Sequence, residues 1–117
     1  MSDSIVLLFS WGPEETGRVS SLLHVAETAS AMNLETRIFL FSEGSILAKV
    51  GTTEKIDSVI AEQFRKLLEQ ENVRVYVCEE AAEKRAIRKE DLQPGVSMVG
   101  YATFLGMAIE GKAVITI

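Results

Sequence analysis

Short apolar runs and helix-spaced apolar stripes alternate along this 117-residue chain from one end to the other. Residues 4–9, Ser-Ile-Val-Leu-Leu-Phe, form a continuous apolar run closed by turn residues, the pattern of a strand buried on both faces. Residues 36–41 repeat it, residues 73–78 are an apolar alternating run, and the shorter stretches 96–99 and 113–117 complete a set of five strands. Between them the period changes. Val19, Leu22, Leu23, Ala26 and Ala29 or Met32 keep three-four spacing up to a stop near Asn33, after a loop in which Thr16 or an earlier acid can cap the helix start. Residues 46–50 read as a helical turn broken at Gly51, and Ile56, Val59, Ile60, Phe64, Leu67 and Leu68 predict one helix over residues 55–71. Two shorter helices are expected, to about Arg85 and over residues 101–109. Short connections between alternating strands and helices imply right-handed crossovers, so the expected fold class is α/β: a three-layer α/β/α sandwich with a five-stranded, mainly parallel sheet, one domain over residues 1–117. Spacing leaves the strand order open.

Composition narrows the partners. The net charge of −5, from 12 Lys and Arg against 17 Asp and Glu, repels phosphate backbones, so neither nucleic acid nor an anionic membrane is an expected partner. The longest apolar runs, residues 5–9 and 38–41, are too short for a membrane span or a secretion signal, which leads to an expected cytoplasmic location. One cysteine and one histidine permit neither an internal disulfide nor a zinc-type ligand cluster, so no metal is expected.

That cysteine, Cys78, stands where the run Val73 to Val77 gives way to Glu79-Glu80-Ala81-Ala82-Glu83-Lys84-Arg85, a strand end turning into a helix. Carboxyl ends of parallel strands gather loops and free backbone N–H groups, and a thiol held there as thiolate is reactive. The opposing reading is a small buried hydrophobe. Alternation puts Cys78 on one face with Arg74 and Tyr76, so its side of the sheet is expected to be the more polar one. The helix start and the cations Lys84, Arg85 and Arg88 favour the anion, while Glu79 and Glu80 oppose it. Gly12 to Gly17 has the placement and glycine spacing of a phosphate-binding loop, but Arg18 and Val19 replace the required Lys and Ser/Thr, and Glu14 and Glu15 lie where the anion would sit. A helix start is the better account of that loop. Trp11 is expected to wall a pocket or anchor a subunit contact at the same sheet edge as Cys78. His24 flanks the first helical stripe and has no orienting carboxylate, so hydrolytic triads are not supported.

Taken together, Val75-Tyr76-Val77-Cys78, Glu79 to Lys84, Arg85-Ala86-Ile87, Asp91-Leu92, Gly95-Val96 and Ala113-Val114-Ile115 resemble the DsrE/DsrF/TusD-like family of small sulfur-relay proteins with the YchN-like fold. The opening strand, the Phe-Leu-Phe-Ser-Glu-Gly end of the second strand and the long second helix also fall in place. The resemblance implies five parallel strands in a three-layer sandwich and assembly of copies into a trimer or hexamer, with the cysteine in a pocket near a subunit boundary. By the same resemblance Cys78 matches the sulfur-accepting position and Arg85 a basic residue about seven positions on. Two departures stand out: Glu79 and Glu80 follow the cysteine where many carriers have small apolar residues, and Ala86 follows Arg85 where they have glycine.

The expected function is therefore a sulfur-relay protein or sulfurtransferase carrying a persulfide on Cys78, with Arg85, Trp11, Gly12 and Glu79 as pocket or anion-stabilising residues. Donor and acceptor proteins or small thiols would be the partners, and no cofactor is required. The alternative is a non-enzymatic oligomeric module of the same fold that binds a ligand or partner beneath Trp11, and a third reading is redox sensing through an intersubunit disulfide.

Overall fold

Strands β1 (Ser4–Phe9), β2 (Glu35–Leu40), β3 (Val73–Cys78), β4 (Val96–Val99) and β5 (Ala113–Thr116) form one sheet in the computed structural model, which describes residues 3–117. Every pairing is parallel and the order is β4-β3-β2-β1-β5. Helices α1 (Thr16–Ala31) and α3 (Ser58–Leu68) cover one face, where Ile5, Leu7, Phe9, Ile38, Leu40, Val73, Val75 and Val77 meet Val19, Leu22, Leu23, Ala26, Phe64 and Leu67. Helix α5 (Tyr101–Glu110) covers the other through Phe104 and Met107, packed on Val6 and Phe39. It carries the chain from β4 at one edge to β5 at the opposite edge.

β1 is a continuous apolar run because both its faces are buried, whereas β3 alternates, with Val73, Val75 and Val77 buried and Arg74 exposed. α1 ends where Asn33 adopts φ 63°, with Leu34 N–H donating to Ala29 O and Asn33 N–H to Ser30 O, the paired bonds of a left-handed C-terminal cap. At its start the earlier acid Glu15 occupies the capping position and Thr16 is already helical, but no side chain makes the capping hydrogen bond.

The single helix expected over residues 55–71 is two helices, α2 (Thr52–Ile56) and α3. Between them Asp57 is extended at φ −172° and ψ 139°, and its carboxylate accepts from Val59 N–H at 2.6 Å. A capping carboxylate satisfies an orphan N–H of the second helix, which outweighs continuation of the stripe. The phase resets at the break, so Val59, expected on the buried face, is exposed. The helical turn expected over residues 46–50 is a 3-10 segment, Ser42–Ala48, starting directly after β2. Gly44 within it is required: a β-carbon there would overlap the Phe9 carbonyl oxygen.

Candidate functional site

β3 ends at Cys78, which pairs in register with Val99 of β4 and is the capping residue before α4 (Glu79–Lys84). Its side chain points to the α5 face and is 0 % exposed. The expectation that this face is the more polar one does not hold around the sulfur. Cys78 packs with Val6, Phe39, Ala81 and Met107, and with the partly buried Leu8, Phe41, Tyr76, Val99 and Phe104. Arg74, on the same side of β3, lies four residues back along the strand, so alternation places both on one face but at opposite ends of it.

After Val99 a single extended residue, Gly100, leads into α5, so Tyr101 begins that helix close to the carboxyl end of β3. Side chains of a first helical turn lean back toward the N-terminus. The Tyr101 hydroxyl donates to Glu80 Oε1 at 3.3 Å. Lys84 Nζ holds the same carboxylate oxygen at 3.3 Å. The nearby Cys78 first, then burial and the Glu80 carboxylate, push the Tyr101 phenol up to about 12 from 10.0.

The other residues singled out from sequence are placed as follows. Arg85 spends both ends of its guanidinium elsewhere, on Ala81 O at 3.0 Å and Glu43 Oε1 at 2.7 Å, so its hydrogen bonds join α4 to the 3-10 segment after β2. Arg88 pairs with Glu90 and Asp91 at 3.2 and 3.5 Å. Glu79 is exposed and lines a cavity of about 390 Å³ with Glu83, Ala86, Ile87, Arg88, Lys89 and Met98. Trp11 lies in the loop after β1, two strands from β3, stacked under the Arg18 guanidinium at 3.9 Å. It is not among the side chains packed with Cys78. In the same loop a β-carbon on Gly12 would fall 2.5 Å from both Glu14 carboxylate oxygens, so the chain's own acid fills the place a bound phosphate would need. His24 is exposed, 3.5 Å from the Gln63 amide. Ala86 is left-handed at φ 55°, with Ile87 N–H donating to Ala82 O and Ala86 N–H to Glu83 O. Ala86 is thus the left-handed closing residue of α4, the kind of position that favours glycine.

Tyr101 was not among the residues singled out. Its signal in the sequence is an aromatic placed directly after a strand and a glycine, and its relation to Cys78 appears only once β4 is known to lie beside β3. Among the described residues no group of His, Cys, Asp and Glu could hold a metal ion, and no helix is long and apolar enough to cross a membrane.

Comparison with known proteins agrees over the whole chain. The sequence model of the DsrE/DsrF-like family matches residues 3–117. A curated relative, the uncharacterized protein MJ0760 of Methanocaldococcus jannaschii, is 29 % identical over 107 residues, covering 88 % of this chain and 38 % of the relative. This chain therefore spans well under half the length of that protein. The crystal structure of YchN from E. coli superposes with a TM-score of 0.83 at 20 % identity, covering 98 % of this chain and 99 % of that one. MTH1491 of Methanobacterium thermoautotrophicum, described as a protein of unknown function, gives 0.73 at 22 % identity with full coverage of both. At these identities the two structures establish a shared fold.

Proposed function

This chain belongs to the DsrE/DsrF-like family, and on that premise we propose that it is a sulfur-relay protein carrying a persulfide on Cys78. The Cys78 thiolate attacks the outer sulfur of a donor persulfide R–S–SH. A bond forms between the Cys78 sulfur and that outer sulfur, the donor's S–S bond breaks, and the thiolate RS⁻ leaves with the electron pair. The product, Cys78–S–SH, passes its outer sulfur to an acceptor thiol by the same exchange. No net oxidation occurs and no cofactor enters. With one cysteine in the chain, the acceptor is a small thiol or a cysteine of another protein.

The observation that carries this reading is a thiol at the β3–α4 junction, Cys78, in a chain whose residues 3–117 match this family. The reading includes a cytoplasmic location and assembly of copies into a trimer or hexamer. The exposed row Tyr101, Leu105 and Ile109, one helical turn apart along α5 at 49, 56 and 83 % exposure, supports the assembly. The test is intact mass after incubation with a sulfane-sulfur donor. The chain gains one sulfur that reductant removes, and the gain is absent in Cys78→Ala. A chain that stays unmodified at every donor concentration overturns the reading and leaves a binding module of the same fold.

A further inference from the structure

We propose that the groove between α3 and the segment entering β4 binds an aliphatic amine, the carbon chain lying on the groove's apolar surface and the ammonium group meeting Glu54. The inference goes beyond the persulfide reading and does not rest on it, because α3 covers one face of the sheet and Cys78 points to the other. It begins from a shape. The groove encloses about 750 Å³, a volume in the range of small-ligand sites.

One wall is a face of α3, where Ser58, Ala61, Glu62, Arg65 and Leu68 recur at three-four spacing and Glu69 continues them. The other wall is built from two bends of the chain. Val50 and Gly51 make the first, with Glu54 following in the first turn of α2, and Gln93, Pro94 and Gly95 make the second just before β4. Both glycines are left-handed, at φ 90° and 94°. A β-carbon on Gly95 would lie 3.7 Å from Leu68 Cδ2, so glycine keeps the groove open at that point. Val50, Ala61, Leu68 and Pro94 supply the apolar surface. Val50 is 58 % exposed, an apolar side chain that a carbon chain in the groove would cover.

The polar groups of the lining decide the charge of the ligand. Arg65 is already spent: its Nε and Nη2 donate to the two Glu62 carboxylate oxygens at 3.0 and 2.6 Å, and its Nη1 donates to Glu69. The Gln93 amide nitrogen donates to Leu47 O at 2.9 Å. What the lining keeps is acceptors, the Gln93 amide oxygen and the Glu54 carboxylate, which makes no ion pair among the described residues. Three carboxylates stand against one guanidinium, so the lining is net negative. Unspent acceptors beside apolar surface suit a ligand that donates from a positive nitrogen and carries a carbon chain. An apolar carboxylate of the same length would bring like charge to Glu54 and find Arg65 paired. A bare metal cation would leave Val50 and Leu68 uncovered. The net charge of −5 on the whole chain adds a long-range attraction for cations.

The experiment is calorimetric titration and thermal melting of the full chain at low ionic strength, with octylamine, α,ω-diaminooctane, octanoate and magnesium ion as probes. Both amines bind and raise the melting midpoint as their concentration rises, while octanoate and magnesium leave it unmoved. Added salt weakens the amines. Glu54→Gln weakens both amines about fivefold, the loss expected for one ion pair near the surface. Ala61→Phe puts a ring into the groove and abolishes binding, with circular dichroism to establish that the variant is folded. Cys78→Ala binds the amines as the wild type does, which keeps this test separate from the sulfur chemistry. Amine affinity that is unchanged in Glu54→Gln overturns the proposal, whether or not Ala61→Phe folds. Octanoate binding as tightly as octylamine overturns it as well, and so does a magnesium response equal to that of the amines, which would reduce the groove to an acidic surface. Absence of binding at millimolar amine overturns it outright.

Discussion

Ala86 shows how much one backbone angle explains. At φ 55° it occupies a region that costs an L-residue roughly 1–2 kcal/mol and costs glycine almost nothing. The residue is exposed, so little packing is lost when its methyl group is removed. Ala86→Gly is expected to stabilise the chain by about 0.5–1 kcal/mol, the strain relief less the extra freedom glycine gains when unfolded, read as a higher urea midpoint at unchanged slope. A lower midpoint would show that the methyl group contributes contacts that outweigh the strain. The glycine that the family resemblance leads one to expect after Arg85 is accounted for in the same way, as a requirement of the α4 C-terminus and not of sulfur chemistry. At this scale the thiol was legible in the sequence, because a cysteine at the end of an apolar run is a local pattern. Tyr101 was not. Its place near Cys78 depends on which strand lies beside β3, and no local spacing encodes that.

Among the elements, α5 bears most directly on the site. It is held to the sheet by Phe104, whose ring stacks on Phe39 at 4.6 Å between centroids, and by the buried Met107. Phe104→Ala is expected to cost about 3 kcal/mol from lost burial and the cavity left behind. Because the same ring packs with Cys78, alkylation of the thiol should speed up in the native state, well below the denaturation midpoint. A stability loss with no change in native-state alkylation would mean that α5 keeps its place without Phe104. Elements built from apolar runs were readable from the sequence, and β3 and β4 have the bounds that spacing predicts. The break between α2 and α3 was missed for a physical reason: the apolar period runs straight through it, and the deciding event is one carboxylate turning back to Val59 N–H.

For the molecule as a whole, the row of Tyr101, Leu105 and Ile109 leaves an apolar helix face on the side that has a single covering helix. Ile109→Glu, at a side chain that is 83 % exposed, should leave the fold of each copy intact while light scattering after gel filtration shows a smaller species than the wild type. An unchanged mass would place the contact between copies on another surface. The three-layer parallel architecture followed from the alternation of periods, since parallel strands need crossovers and crossovers need helices. The order of strands did not follow, because the step from β4 to β5 spans the full width of the sheet and local spacing is blind to distance. That long step also decides what guards the sulfur. Phe104 and Met107, which pack over Cys78, sit on the one segment that bridges the two outer strands, so whatever loosens that bridge at either edge uncovers the thiol.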